Sequence, residues 1–139
     1  LRLRGTLDRI DAVPGKGGHG AHRILDYKTS SETTLRERLR QPLEDTQLPF
    51  YAALLDASRG VPPGGVQAAY LSLDGREGVK LLAHPDVAAS AATLLEGIAA
   101  DFTRLQAGAP MPALGEGSAC EHCSARGLCR RDHWREDRA

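Results

Sequence analysis

An α/β domain is predicted for this 139-residue chain by three features: two alternating segments flanking a glycine-rich turn, two later strand patterns, and two helical periods set between and after them. Gly5-Thr6-Leu7-Asp8-Arg9-Ile10-Asp11 and Leu25-Asp26-Tyr27-Lys28-Thr29 both alternate apolar and other residues as half-buried strands do. Pro14-Gly15-Lys16-Gly17-Gly18-His19-Gly20 lies between them and reads as a turn. The pair is therefore a β-hairpin, and a hairpin centred near Gly17 sets Asp8 directly across from Asp26. Lys28 points the same way as Asp26, because side chains two apart on a strand share a face.

After this hairpin the segment carrying Arg36, Arg38 and Arg40 reads as a loop rich in Ser, Thr and Glu. Gln47 to Ala57 follows as a helix, with Leu48, Tyr51, Ala52 and Leu55 at three- and four-residue steps and Pro49 in the first turn, where its missing N–H costs nothing. Gln47 and Tyr51 are then one turn apart on a shared face. Gly60 to Gly65 is a loop, Val66 to Leu73 a strand, Asp74-Gly75 a turn, and Gly78 to Ala83 a second, shorter strand. A last long helix is expected from Pro85 to about Ala107, with the stripe Val87, Leu94, Leu95, Ile98, Phe102 and Leu105 and an alanine-rich remainder that reads as a packing surface.

Facing carboxylates on a sheet repel, and something must offset that cost. A divalent cation with oxygen ligands does so; Mg²⁺ is held by one or two carboxylates while waters and phosphate oxygens fill its other positions. Lys28 beside such an ion could orient a water or stabilise developing negative charge. The competing reading is an exposed hairpin on which Asp26 and Lys28 form a solvated ion pair.

The C-terminal segment carries Cys120-x-x-Cys123-x-x-x-x-x-Cys129. Two thiols at this spacing can hold one ion, and an odd number of cysteines argues against a disulfide framework. Zn²⁺ completed by His122 or His133 is one possibility. Three thiols in a disordered tail is another. His19, His22 and His84 have no evident partner and read as surface residues.

Lys plus Arg and Asp plus Glu both number 18, which excludes a global positive field as the means of holding a polyanion. Arg36, Arg38, Arg40, Arg126, Arg130, Arg131 and Arg135 are the local cations that could meet phosphates, although solvated loops and termini explain them equally well. No run of about 18 apolar residues suggests a membrane span, and no signal peptide stands at the observed start. The abundance of Ala, Arg and Gly suits a GC-rich bacterial genome.

Gly5-x-x-Asp8-Arg9-x-Asp11, then Asp26-x-Lys28, then Gln47-x-x-x-Tyr51 resembles the PD-(D/E)XK nuclease superfamily, specifically its RecB-like branch with the AddA and AddB nuclease domains. The resemblance is specific over residues 3 to 55 and returns at the cysteines. It implies a restriction-endonuclease-like core with a mixed central sheet flanked by helices. It implies Asp8 and Asp26 as ligands of Mg²⁺ (or Mn²⁺), Lys28 as catalytic, and Gln47 and Tyr51 as lining the site. Magnesium-dependent DNA cleavage follows, more as an exonuclease than an endonuclease, with a helicase domain as partner in repair or recombination and a bacterial cytoplasmic location.

A three-cysteine group at the C-terminus in AddB-like nucleases implies a [4Fe–4S] cluster whose fourth ligand lies upstream. The family also places an acidic residue or histidine on a helix before the first strand. Since this chain opens at Leu1 inside a strand pattern, it is expected to be an N-terminally truncated piece of a longer protein. Residues 1–119 would form the core, and 120–139 a cysteine segment packed on it. A nuclease-like scaffold that binds DNA or a partner without cutting is the alternative, and a redox-sensing thiol centre a third.

Overall fold

The computed structural model describes residues 1–14, 20–40, 43–60, 65–74, 78–110, 120 and 123–129, with backbone alone for 126 and 127. The elements in chain order are β1 (Arg9–Pro14), β2 (Gly20–Lys28), α1 (Glu32–Arg40), α2 (Gln47–Arg59), β3 (Val66–Ser72), β4 (Lys80–Ala83), α3 (Val87–Gln106) and a one-turn α4 (Arg126–Cys129). Among the described residues the four strands form one sheet in the order β1-β2-β3-β4. β1 pairs antiparallel with β2, β2 parallel with β3, and β3 antiparallel with β4. The mixed sheet with flanking helices is the α/β architecture expected.

Parallel pairing of β2 with β3 requires a long crossover, and α1 and α2 supply it. Both helices contact β3. Ile24 on β2, Ala68 and Tyr70 on β3 and Leu82 on β4 are buried in one cluster with Leu35 of α1 and Leu48, Ala52 and Leu55 of α2. Ile24, Leu35 and Leu48 are wholly enclosed, each contributing roughly 1.5–3 kcal/mol through apolar burial. The hairpin register is as predicted: Arg9 faces Leu25, Ile10 faces Ile24 and Pro14 faces Gly20.

Three expectations change. The segment with Arg36, Arg38 and Arg40 is helix α1, not a loop. Ser31 Oγ accepts the Thr34 N–H at its start (3.2 Å), Glu32 stands in the first turn and Arg38 and Arg40 in the last, an order that suits the helix dipole. Only Leu35 is buried there, so the helical period was too faint to read. Secondly, α3 joins the core only near its start, through Val87 and Ala91; Leu95 and Leu105 are exposed, as are Ala92, Ala99 and Ala100 of the presumed packing surface. Alanine has the highest helix propensity, so such a sequence forms a helix without needing to bury that face.

Thirdly, His84 is half-buried and does have a partner: its Nδ1 accepts the Asp86 N–H at 3.2 Å. Burial holds its pKa below the ordinary histidine value, opposed by the nearby Asp86 and Asp45 carboxylates. His22 is also half-buried, while His19 lies outside the described residues.

The chain divides into two compact units, Leu1–Phe102 and Thr103–Ala139. The first contains the whole sheet and the candidate site. The second contains the end of α3, the cysteines and α4. No helix among the described residues is long and apolar enough to cross a membrane.

Candidate active site

Asp26 and Lys28 stand at the end of β2, on the same face as Ile24 and therefore beneath the crossover helices. Register places Asp26 beside Tyr70 and Lys28 beside Ser72. The apolar core thus grades into a polar cluster at the C-terminal end of the parallel pair. Asp26 is only 3% exposed.

Gln47 and Tyr51 come to this cluster on the first two turns of α2, whose start is fixed by Asp45: its Oδ1 accepts the Gln47 N–H at 3.2 Å, while Thr46 makes no side-chain cap. The helix ends at Gly60, in the left-handed conformation (φ 58°), with its N–H on the Asp56 carbonyl. Gln47 Nε2 donates to Asp26 Oδ1 (2.8 Å) and to the Tyr51 hydroxyl (3.2 Å). Lys28 Nζ donates to Gln47 Oε1 (2.7 Å). Both amide protons and the amide oxygen are thereby used, and the opposite amide orientation would aim a donor at the ammonium and an acceptor at the carboxylate.

Lys28 Nζ also lies 2.7 Å from Asp26 Oδ2 and 5.2 Å from the centre of the Tyr70 ring. The ammonium offsets the charge on Oδ2, but the buried oxygen receives no well-formed hydrogen bond among the described residues. Tyr70 is the site residue that sequence reasoning missed. It is wholly buried beneath Lys28, its ring face suited to a cation, and its hydroxyl also lacks a well-formed hydrogen bond. Burial first, then the Asp45 carboxylate, pushes its phenol above the ordinary range. Its strand pattern was legible; its placement beside Asp26 depends on the parallel register, which no local signal carries.

Asp8 stands one residue before the first ladder pair, at the position that faces Asp26 when the register is continued. It is exposed, and its Oδ2 accepts the Tyr27 N–H at 3.0 Å. Among the described residues no three His, Cys, Asp or Glu side chains converge as a metal-holding group. Two carboxylates suffice for an ion that keeps waters and substrate oxygens, and the donor set fits in kind: hard oxygens, one of them the buried Asp26 Oδ2 beside the Lys28 ammonium. Asp8 and Asp26 are the carboxylates that would hold such an ion.

A cavity of ≈ 620 Å³ opens beside Gln47, lined by Arg38, Glu44, Asp45, Thr46 and Phe50 as well. Arg38 reaches to 4.0 Å from Asp45, whereas Arg36 and Arg40 are exposed and tied to Glu32 and Glu37 within α1. Phosphate contacts from Arg36 and Arg40 would have to displace those pairs. Cys120 and Cys129 are partly buried, Cys123 is exposed, and none is in a disulfide. Cys123 N–H approaches the Cys120 carbonyl (3.4 Å) and Cys129 N–H bonds to Ala125 (2.9 Å). The three thiols do not form a metal-holding group in this arrangement. His122, His133, Arg130, Arg131 and Arg135 and the side chain of Arg126 lie outside the described residues.

A family model described as the PD-(D/E)XK nuclease superfamily matches residues 1–130. No curated protein and no solved structure matches the chain. The matched span contains all four strands and the Asp26, Lys28, Gln47 and Tyr51 network, and the chain belongs to the PD-(D/E)XK nuclease superfamily, a superfamily of metal-dependent nucleases.

Proposed function

We propose that this chain hydrolyses DNA phosphodiester bonds with Mg²⁺, as the RecB-like, AddB-like exonuclease module of a helicase–nuclease acting in repair or recombination. The observation that carries the reading is the Gln47 amide, which joins Asp26, Lys28 and Tyr51 into one network. A surface ion pair would need no such third party.

In this mechanism Asp8 and Asp26 would hold the cation, which would supply Lewis acidity to lower the pKa of a water near the scissile phosphate. Asp26 is held by Gln47 at Oδ1 and by the Lys28 ammonium at Oδ2, so its carboxylate is oriented before a cation arrives. Lys28 Nζ, set beside Asp26, Gln47 Oε1 and the Tyr70 ring, donates to the attacking water or to a phosphate oxygen. Gln47 aligns Asp26 and Lys28 together. The Tyr51 hydroxyl accepts from the Gln47 amide, so its own proton is available to a substrate oxygen.

For the cysteines we propose a metal centre completed by a ligand from outside the described residues, a [4Fe–4S] cluster ahead of Zn²⁺; no catalytic step passes through it. Iron, sulfide and zinc analysis of anaerobically purified protein decides between them, and absence of all three removes the centre. The activity itself is tested with end-labelled single- and double-stranded DNA and Mg²⁺, wild type against Asp26→Ala. Cleavage that disappears with Asp26 is the expected result. DNA binding without cleavage by the wild type would instead establish a non-cleaving scaffold.

A further inference from the structure

Net neutrality leaves open how such a chain holds a polyanion, and the distribution of its arginines answers this. Most described cations are already engaged. Arg9 pairs with Asp11, Lys28 with Asp26, Arg36 with Glu32, Arg38 with Asp45 and Arg40 with Glu37. Arg23 donates twice to Gln67, and Lys80 and Arg104 have interactions of their own. Among the described residues only Arg2, Arg4 and Arg59 remain, and all three line one groove of ≈ 680 Å³.

Among the described residues that groove holds no carboxylate. Its other walls include Thr6, Ser58, Leu3 and Leu54, whereas the cavity beside Gln47 sets Glu44 and Asp45 against its one arginine. Arg59 in the last turn of α2 suits the helix dipole by itself. Arg2 and Arg4 precede the first strand and have no such reason to be there.

The groove also borders a residue of the site. Gly5, in its wall, lies so close to α2 that a Cβ there would stand 2.8 Å from Leu54 Cδ1 and 3.4 Å from ring carbons of both Phe50 and Tyr51. Tyr51 is hydrogen-bonded to Gln47. The eight steps from Tyr51 to Arg59 cover about 12 Å of helix, long enough for successive phosphates of one strand.

We infer that Arg2, Arg4 and Arg59 form a track for the phosphodiester backbone of a nucleic-acid strand entering the site. The track reads charge and spacing, not bases, because arginines on phosphates carry no sequence information. It deepens the nuclease reading and rests on it for the direction of the strand, but it stands as a binding surface without it.

The test uses the full chain and a fluorescein-labelled single-stranded oligodeoxynucleotide in EDTA, followed by anisotropy across a salt series. Arg59→Ala is expected to lower the slope of log affinity against log salt by about 0.7, and the Arg2→Ala/Arg4→Ala/Arg59→Ala triple variant by about 2. Arg104→Ala, a cation outside the groove, leaves the slope unchanged. With Mg²⁺ the triple variant raises KM for cleavage at unaltered kcat.

Wild-type affinity and slope in the triple variant overturn the track even if cleavage is normal. Salt-dependent binding lost in the triple variant, in a chain that never cleaves, keeps the track and sinks the nuclease reading. An oligoribonucleotide and a duplex of the same sequence identify which polymer the track prefers. A wild type that binds none of the three overturns it.

Discussion

Asp26 and Asp8 occupy facing positions of one hairpin but live in different surroundings. The first is 3% exposed, hydrogen-bonded to Gln47 and paired with Lys28. The second is exposed and, among the described residues, held by the Tyr27 N–H alone. The difference arises from α2, which covers the end of β2 with Gln47 and Tyr51. Strand pairing sets two carboxylates opposite each other; helix packing decides which of them must find partners inside the protein. A site half dry and half open suits a ligand that brings its own oxygens.

This contrast can be broken in several ways. The largest effect is expected from Asp26→Ala and Lys28→Ala, each lowering cleavage by roughly a hundred- to a thousand-fold. Lys28→Ala additionally leaves the Asp26 charge buried and costs about 3 kcal/mol, the low end for breaking a buried pair because Lys28 keeps 20% exposure. Urea denaturation reads the second quantity. Cleavage retained in both variants removes the assigned chemistry.

Asp8→Ala sharpens the comparison. It is expected to lose cleavage to a similar degree while losing under about 1 kcal/mol of stability, since it gives up one exposed hydrogen bond. Full activity in this variant would mean that the two carboxylates share no ion. Added Mg²⁺ should raise the melting temperature of the wild type, by the equivalent of about 2.7 kcal/mol at a hundredfold excess over Kd, and should fail to do so in Asp26→Ala. Equal shifts in the two proteins place the ion elsewhere.

Tyr70→Phe has a smaller expected effect. The ring stays beneath Lys28 and the removed hydroxyl is buried without a well-formed bond, so cleavage is unchanged and stability is equal or higher by roughly 1 kcal/mol. A loss of stability would show that the hydroxyl is bonded.

The least effect concerns His84. Its folded pKa is below the unfolded value, so the unfolded chain binds more protons as pH falls beneath about 6.5, and stability declines there. Replacement by Gln should flatten that decline, and an unaltered pH profile would assign it to other groups.

Much of this was legible because strand alternation and turn chemistry are local. Gly15 to Gly20 announced the hairpin, and its centre gave the register found between Arg9 and Leu25. Gln47 and Tyr51 were readable at one-turn spacing in a helix marked by Leu48, Ala52 and Leu55. Helix α1 was not, since a single buried leucine leaves no stripe, and the Ser31 cap and the two ion pairs that accompany it join side chains that also suit a loop. Tyr70 looked like an ordinary strand aromatic.

The sequence by itself determined the hairpin, the opposed positions of Asp8 and Asp26, the shared face of Asp26 and Lys28, and the start of α2, since each depends on contacts within a few residues or across one turn. Tertiary structure alone decided that β2 lies parallel to β3, that Tyr70 lies beneath Lys28, that Gln47 closes the network, and that Arg2 and Arg4 meet Arg59 in one groove. These juxtapositions join residues far apart in the chain, and they are set by which apolar faces bury together, a property of the whole fold that no local pattern encodes.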